Sequence, residues 1–83
     1  MILEKLRERK RSTNSEKLIA EYVLKHHEQL YQLSVEELGK ETYTSKATVI
    51  RLCKKLEVNS YQEFKRQVEF EYNELSRISS LLK

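Results

Sequence analysis

Three times along this 83-residue chain a hydroxyl side chain is followed three positions later by glutamate: Thr13 with Glu16, Ser34 with Glu37, and Ser60 with Glu63. That spacing lets the hydroxyl accept from a first-turn amide while the carboxylate reaches back to the amide of the capping residue, so orphan donors are satisfied from both sides. Each match is a helix start. Ser45 marks a further start without the returning carboxylate. Together these signals divide the chain into helices near 2 to 10, 14 to 27, 35 to 41, 46 to 56 and 61 to about 80. The chain has no proline and one glycine, so nothing breaks these segments from within, and no strand is expected. The fold class that follows is all-α: one domain over residues 1–83, a small bundle of about five helices. A domain this short buries only roughly 60% of the surface its unfolded chain exposes, so deep pockets are not expected.

Apolar residues recur at helical spacing in each segment: Leu18, Ile19, Tyr22 and Val23; Val35 and Leu38; Val49, Leu52, Cys53 and Leu56; Tyr61, Phe64 and Val68. These faces are expected to share one core, with Leu30 and Leu33 capping it from the side. The lone Cys53 cannot form an internal disulfide, and its spacing from Val49 and Leu56 favours buried packing over redox chemistry. No apolar run approaches the roughly 18 residues that span a bilayer, and the charged N-terminus is no leader peptide. A soluble, cytoplasmic chain without a membrane role is expected.

Charge is distributed unevenly. Residues 1–11 carry +3, residues 12–45 carry −3, residues 46–56 carry +4 with no acid, and residues 57–83 carry −1. A net charge of +3 says little by itself. Four cations (Lys46, Arg51, Lys54, Lys55) on one acid-free helix say more, because such a helix suits phosphates. The bland alternative is a solvated basic face with Ser45 as a plain N-cap.

The short connection Thr42-Tyr43-Thr44 has the length that crosses two helices steeply in a helix-turn-helix, freeing the second to enter a groove. Gly39, inside the first of these helices, costs about 1 kcal/mol against alanine there. A close approach of the second helix would explain it. Its use as a C-cap is the alternative, although that leaves barely one turn after Ser34. With Val49, Leu52, Cys53 and Leu56 turned inward, Lys46, Ala47, Ile50, Arg51 and Lys54 lie on other faces. Arg51 can bond a guanine edge in two places and Lys46 in one, and the Ala47 methyl can touch thymine. Ser45 and Thr48 have hydroxyls suited to phosphate oxygens at a helix start. Lys54 and Lys55 would add charge without sequence information.

The stretch from Thr44 to Leu56, with Ser-x-Ala-Thr-x-x-Arg at its centre, followed by Tyr-x-Glu-Phe-Lys over 61–65, resembles the N-terminal DNA-binding domain of the RpiR family of bacterial transcriptional regulators. The resemblance runs from about Glu16 to Leu75. It implies a homeodomain-like helical domain that binds operator DNA as a dimer, in the nucleoid. In full-length members a sugar-isomerase-type domain follows and senses a phosphosugar, often in the control of carbohydrate metabolism. That domain is not in this chain, so any effector site is expected outside it. Two positions depart from the family pattern. Glu57 stands where glycine is usual after Lys-Lys-Leu and must adopt a left-handed backbone or change the turn, weakening phosphate contact beside it. Gly39 replaces the usual alanine.

Other chemistry is discounted. His26 and His27 are helix neighbours pointing about 100° apart, and with one cysteine and no aspartate no metal site is expected. Glu36 and Glu37 suit a first helix turn better than acid–base work. One glycine makes no phosphate-cradling loop, so neither cofactor nor catalytic residue is expected. The last helix bears an apolar stripe (Tyr61, Phe64, Val68, Leu75, Ile78, Leu82) broken only by Glu71. It either mediates homodimer contact, with Ile2, Leu3 and Leu6 of the N-terminal helix as partners, or packs in its first half and frays beyond. A module that binds protein through this helix, with no nucleic-acid role, is the alternative function.

Overall fold

The computed structural model describes residues 2–8 and 13–81, residue 80 by its backbone alone. Six helices are present among the described residues and no strand: α1 (Ile2–Arg7), α2 (Asn14–Lys25), α3 (His27–Leu30), α4 (Val35–Glu41), α5 (Lys46–Lys55) and α6 (Tyr61–Leu81). The hydroxyl–glutamate signals place the starts correctly. Thr13 and Ser34 form reciprocal capping boxes with Glu16 and Glu37. At the third, the Ser60 hydroxyl accepts from the Glu63 amide at 3.1 Å, while the Glu63 carboxylate turns to Arg66 and Gln67.

One core joins the helices. Phe64 and Val68 of α6 sit at its centre with Ile19 and Val23 of α2, Leu38 of α4, and Val49, Leu52 and Cys53 of α5. Burial pushes the Cys53 thiol up to about 11, which fits a packing residue rather than a reactive one. Leu18, expected inside, is 44% exposed, because the buried stripe of α2 is centred on Glu16, Ile19, Ala20 and Val23.

Two segments depart from expectation. The helix foreseen over 14–27 stops at Lys25, because His26 leaves the helical backbone (φ −125°, ψ 36°) while its amide still closes on Tyr22 at 2.7 Å. The break starts α3, which drops Leu30 fully into the core and stacks the His27 ring on Tyr72 of α6 at 3.6 Å. The first helix closes at Arg7, short of residue 10; residues 9 and 10 lie outside the described part, as does Leu82. Its Ile2, Leu3 and Leu6 are not available to a second chain, since all three are buried in this one.

Glu71 explains that docking and its own place in an apolar stripe. Its carboxylate accepts from the amides of Ile2 at 2.9 Å and Leu3 at 3.0 Å, so a residue of α6 supplies the N-terminal acceptor that α1 lacks.

The pair α4 and α5 is fixed by Gly39. A Cβ placed there would lie 2.9 Å from the carbonyl carbon of Ser45 and 3.1 Å from the amide nitrogen of Lys46, both backbone atoms that cannot swing aside. Gly39 is therefore a crossing point, and α4 ends beyond it with Thr42 as C-cap. Helix propensity alone would make Gly39→Ala stabilising by about 1 kcal/mol. The steric conflict reverses the sign, and the substitution is expected to lower stability by about 1 to 3 kcal/mol, read from the urea midpoint. An increase in that midpoint would contradict the crossing-point assignment.

Candidate nucleic-acid interface

The candidate surface begins with a turn closed by hydrogen bonds. After α4 the chain makes two backbone bonds that close its C-terminus, Tyr43 N–H to Lys40 O at 3.1 Å and Thr44 N–H to Gly39 O at 2.8 Å. This pair is the Schellman arrangement, with Tyr43 in the left-handed region at φ 57°. The Thr42 hydroxyl donates to Leu38 O at 2.8 Å and lies 2.9 Å from the Thr44 hydroxyl, tying the turn from inside. Ser45 then caps α5, its Oγ accepting from the Thr48 amide at 3.2 Å.

The far end of α5 repeats the device. Glu57 N–H bonds Lys54 O at 3.0 Å, Val58 N–H bonds Cys53 O at 3.0 Å, and Glu57 holds φ 63°. Of the two outcomes open at Glu57, the left-handed backbone is adopted and the turn is retained. Val58, which no sequence signal marked, is buried as the hydrophobic partner of that turn. From α1, Lys5 Nζ reaches Leu56 O at 3.4 Å, placing a cation at the negative end of α5.

Between these turns Val49, Leu52 and Cys53 face the core. Lys46, Ala47, Arg51 and Lys54 are exposed, with Ile50 half-buried between them. Ile50, Arg51 and Lys54 lie three, four and seven residues after Ala47, so the four form a continuous outward stripe. Among the described residues no carboxylate pairs with Arg51 or Lys54.

Three of the sequence-predicted residues are placed differently from a simple phosphate-facing array. Thr48 is only 6% exposed. Its Oγ1 lies 3.0 Å from Ser45 Oγ and accepts from Arg51 Nη2 at 3.2 Å, so the hydroxyl orients Arg51 instead of facing solvent. Lys55 turns back to α2, donating to both Glu16 carboxylate oxygens at 2.8 and 3.1 Å. Lys46 stays at the surface but lies 3.3 Å from Glu36 of α4, both side chains more than half exposed. A pair that exposed is screened by water and is readily exchanged for another anion. The backbone amide of Glu36 itself, then Lys46, hold its carboxyl below the ordinary range.

Glu16 is nearly buried, and burial alone would raise its pKa. Hydrogen bonds from Lys55 and from the Thr13 amide, with the Lys55 charge, outweigh that and leave it lowered. Thr13, Glu16, Thr48, Arg51, Lys54 and Lys55 line one shallow cleft between α2 and α5. Among the described residues no cluster of three or more His, Cys or Glu could hold a metal, and no helix is long and apolar enough to cross a membrane.

The family described as "Helix-turn-helix domain, rpiR family" matches residues 1–75. An uncharacterised HTH-type transcriptional regulator of Caldanaerobacter subterraneus is 38% identical over 56 residues, covering 68% of this chain and 20% of the relative. Another, from Clostridium perfringens, is 37% identical over 65 residues, covering 77% of this chain and 23% of the relative. The uncharacterised HTH-type transcriptional regulator YbbH of Bacillus subtilis is 37% identical over 54 residues, covering 65% of this chain and 19% of its own. The chain thus spans about a fifth of the length of these relatives. No solved structure matches it.

The Glu16–Lys55 pair gives a pH signature. A carboxyl lowered by folding adds stability that is complete above its ordinary value of 4.5 and is lost as pH falls through the lower folded value. Glu16→Gln keeps a group able to return the capping hydrogen bond but cannot titrate. Urea midpoints of the native chain are therefore expected to fall more steeply than those of Glu16→Gln between about pH 5 and pH 3. Parallel profiles would show that the pair adds nothing.

Proposed function

The chain belongs to the rpiR family of helix-turn-helix domains, and we propose that it is the DNA-reading head of a transcriptional regulator, binding double-stranded operator DNA with α5 in the major groove. The observation that carries this reading is the outward stripe Ala47, Ile50, Arg51 and Lys54, exposed or half-exposed and acid-free on a helix held by a close backbone crossing. Arg51, oriented by Thr48, reads a guanine edge, and the Ala47 methyl meets thymine. Lys46 leaves Glu36 for a base or phosphate. The exposed Ser45 at the start of α5 lies close to the sugar-phosphate backbone, where the helix amides favour an anion. Lys54 binds phosphate without reading sequence, while Lys55 serves α2–α5 docking first and phosphate second.

The domain works as a homodimer whose two copies of α5 sit about 34 Å apart, or a multiple of that. With α1 committed to its own core, contact falls to the outer half of α6, where Leu75, Ile78 and Leu81 are exposed. The regulator acts in the cytoplasm on genes of carbohydrate or phosphosugar metabolism, with the effector bound outside these residues. Relatives about five times longer than the match agree with such a further domain.

Titration of duplex DNA at two salt concentrations tests the reading against a protein-interaction module built on α6. Binding that weakens steeply with salt is expected, and salt-insensitive association without a duplex mobility shift would sink it. Arg51→Ala is expected to cost about 1 to 3 kcal/mol on a selected site and to relax preference at one base pair. Lys54→Ala should weaken all duplexes alike and lower the salt slope by about 1. A uniform loss for Arg51→Ala, or an unchanged slope for Lys54→Ala, would reverse those roles.

A further inference from the structure

Tyr43 combines a left-handed backbone with an aromatic side chain that the fold leaves almost wholly exposed. Its backbone holds φ 57°, where a side chain collides with its own carbonyl and glycine or asparagine is favoured. Its side chain is 91% exposed and makes no hydrogen bond among the described residues, so the strain is offset by the backbone bonds of the turn and not by the side chain. Tyr22, which likewise makes no hydroxyl hydrogen bond among the described residues, is half-buried against the core with its ring 4.8 Å from His26, and the other three tyrosines have hydroxyl partners. Tyr61 donates to Leu33 O at 2.8 Å, Tyr72 donates to Leu24 O at 3.2 Å, and Tyr31 accepts from Gln32 at 3.0 Å.

The surroundings over-determine the strained conformation. Bonds from the amides of Tyr43 and Thr44 to Lys40 and Gly39 fix the backbone on either side, and the Thr42–Thr44 hydroxyl pair closes it beneath. Strain kept at a rigid, exposed position points to use of the side chain. Its place in the motif indicates the use. In a helix-turn-helix the first helix crosses the DNA backbone and the second enters the groove, so the turn between them passes over the groove's lip. Tyr43 is in that turn, two residues before Ser45 caps α5.

We propose that Tyr43 is a DNA-contacting residue, whose phenol donates a hydrogen bond to a backbone phosphate at the lip of the groove that α5 enters. The contact is neutral and sequence-independent. It displaces no condensed cation, so it adds affinity on every duplex without changing the salt slope. This assignment rests on the proposed DNA-binding role and extends it to a residue that charge and helix patterning do not mark.

The test uses a random-sequence duplex, because a phosphate contact needs no operator. Binding by the native chain tests the DNA-binding role itself, and its absence would remove both proposals together. Given that binding, Tyr43→Gly is expected to raise the thermal midpoint by about 4 °C through relief of the left-handed strain. The same variant should weaken the duplex about tenfold with an unchanged salt slope. Tyr43→Phe, which keeps ring and backbone, should weaken it similarly. Glu57→Gly relieves the same strain at the other end of α5 and serves as the control, gaining stability with no loss of affinity. Native affinity in Tyr43→Phe, with or without a loss in Tyr43→Gly, would overturn the assignment. So would equal weakening by Tyr43→Gly and Glu57→Gly, which would trace the loss to a loosened backbone.

Discussion

The contact on which the rest of this domain depends is the one at Gly39, where α4 and the start of α5 meet backbone to backbone. Any side chain there would have to enter the space occupied by Ser45 carbonyl carbon and Lys46 nitrogen. The approach sets the angle of α5 more firmly than side-chain packing could, because packed side chains can exchange rotamers and backbone atoms cannot. Once that angle is set, Val49, Leu52 and Cys53 reach the core and Ala47, Arg51 and Lys54 are left outside. A less intimate crossing would rotate both faces together.

Charge is sorted within the same helix. Of its four cations, Lys55 is bound to a nearly buried carboxylate and Lys46 sits near an exposed one, whereas Arg51 and Lys54 face outward without a carboxylate among the described residues. These environments differ in what a phosphate must displace. An exposed pair is screened and gives up little, while separating Lys55 from Glu16 would take both ammonium hydrogen bonds from a carboxylate that is only 5% exposed. The +4 read from residues 46–56 therefore overstates the charge free to meet DNA.

Much of the fold was legible because its signals are local. The boxes at Thr13 and Ser34 report hydrogen bonds that close within four residues, and α2 and α4 start where those bonds require. Gly39 and Glu57 were legible for the opposite reason: each is an unfavoured residue for its position, so each pointed to a constraint. What stayed hidden is tertiary. The break at His26 is rewarded only by burying Leu30 and by stacking His27 on Tyr72, 45 residues away in sequence. The apolar face of α1 reads identically whether it meets its own core or a partner, and only Glu71, 68 residues from Leu3, decides between them. At the interface, the exposed stripe followed from periodicity. The burial of Thr48 and the turn of the exposed Lys55 toward Glu16 did not, since they depend on what α2 presents opposite them.

The two left-handed residues give the interface its rigidity. α5 is preceded by one Schellman turn at Tyr43 and followed by another at Glu57, so the chain is fixed just before the helix begins and just after it ends. Such a helix has little freedom to fray or slide. A ten-residue helix standing alone would be marginal in water, and its end residues would sample many orientations. Base reading requires the opposite, because a bidentate arginine contact tolerates little displacement of the backbone that carries it. Placing glutamate and tyrosine where glycine would be easier lowers the stability of the domain, yet both turns keep their hydrogen bonds. The closed turns, more than the identity of the residues in them, hold Arg51 on a fixed base, and this leaves the exposed Tyr43 side chain free to serve recognition instead of folding.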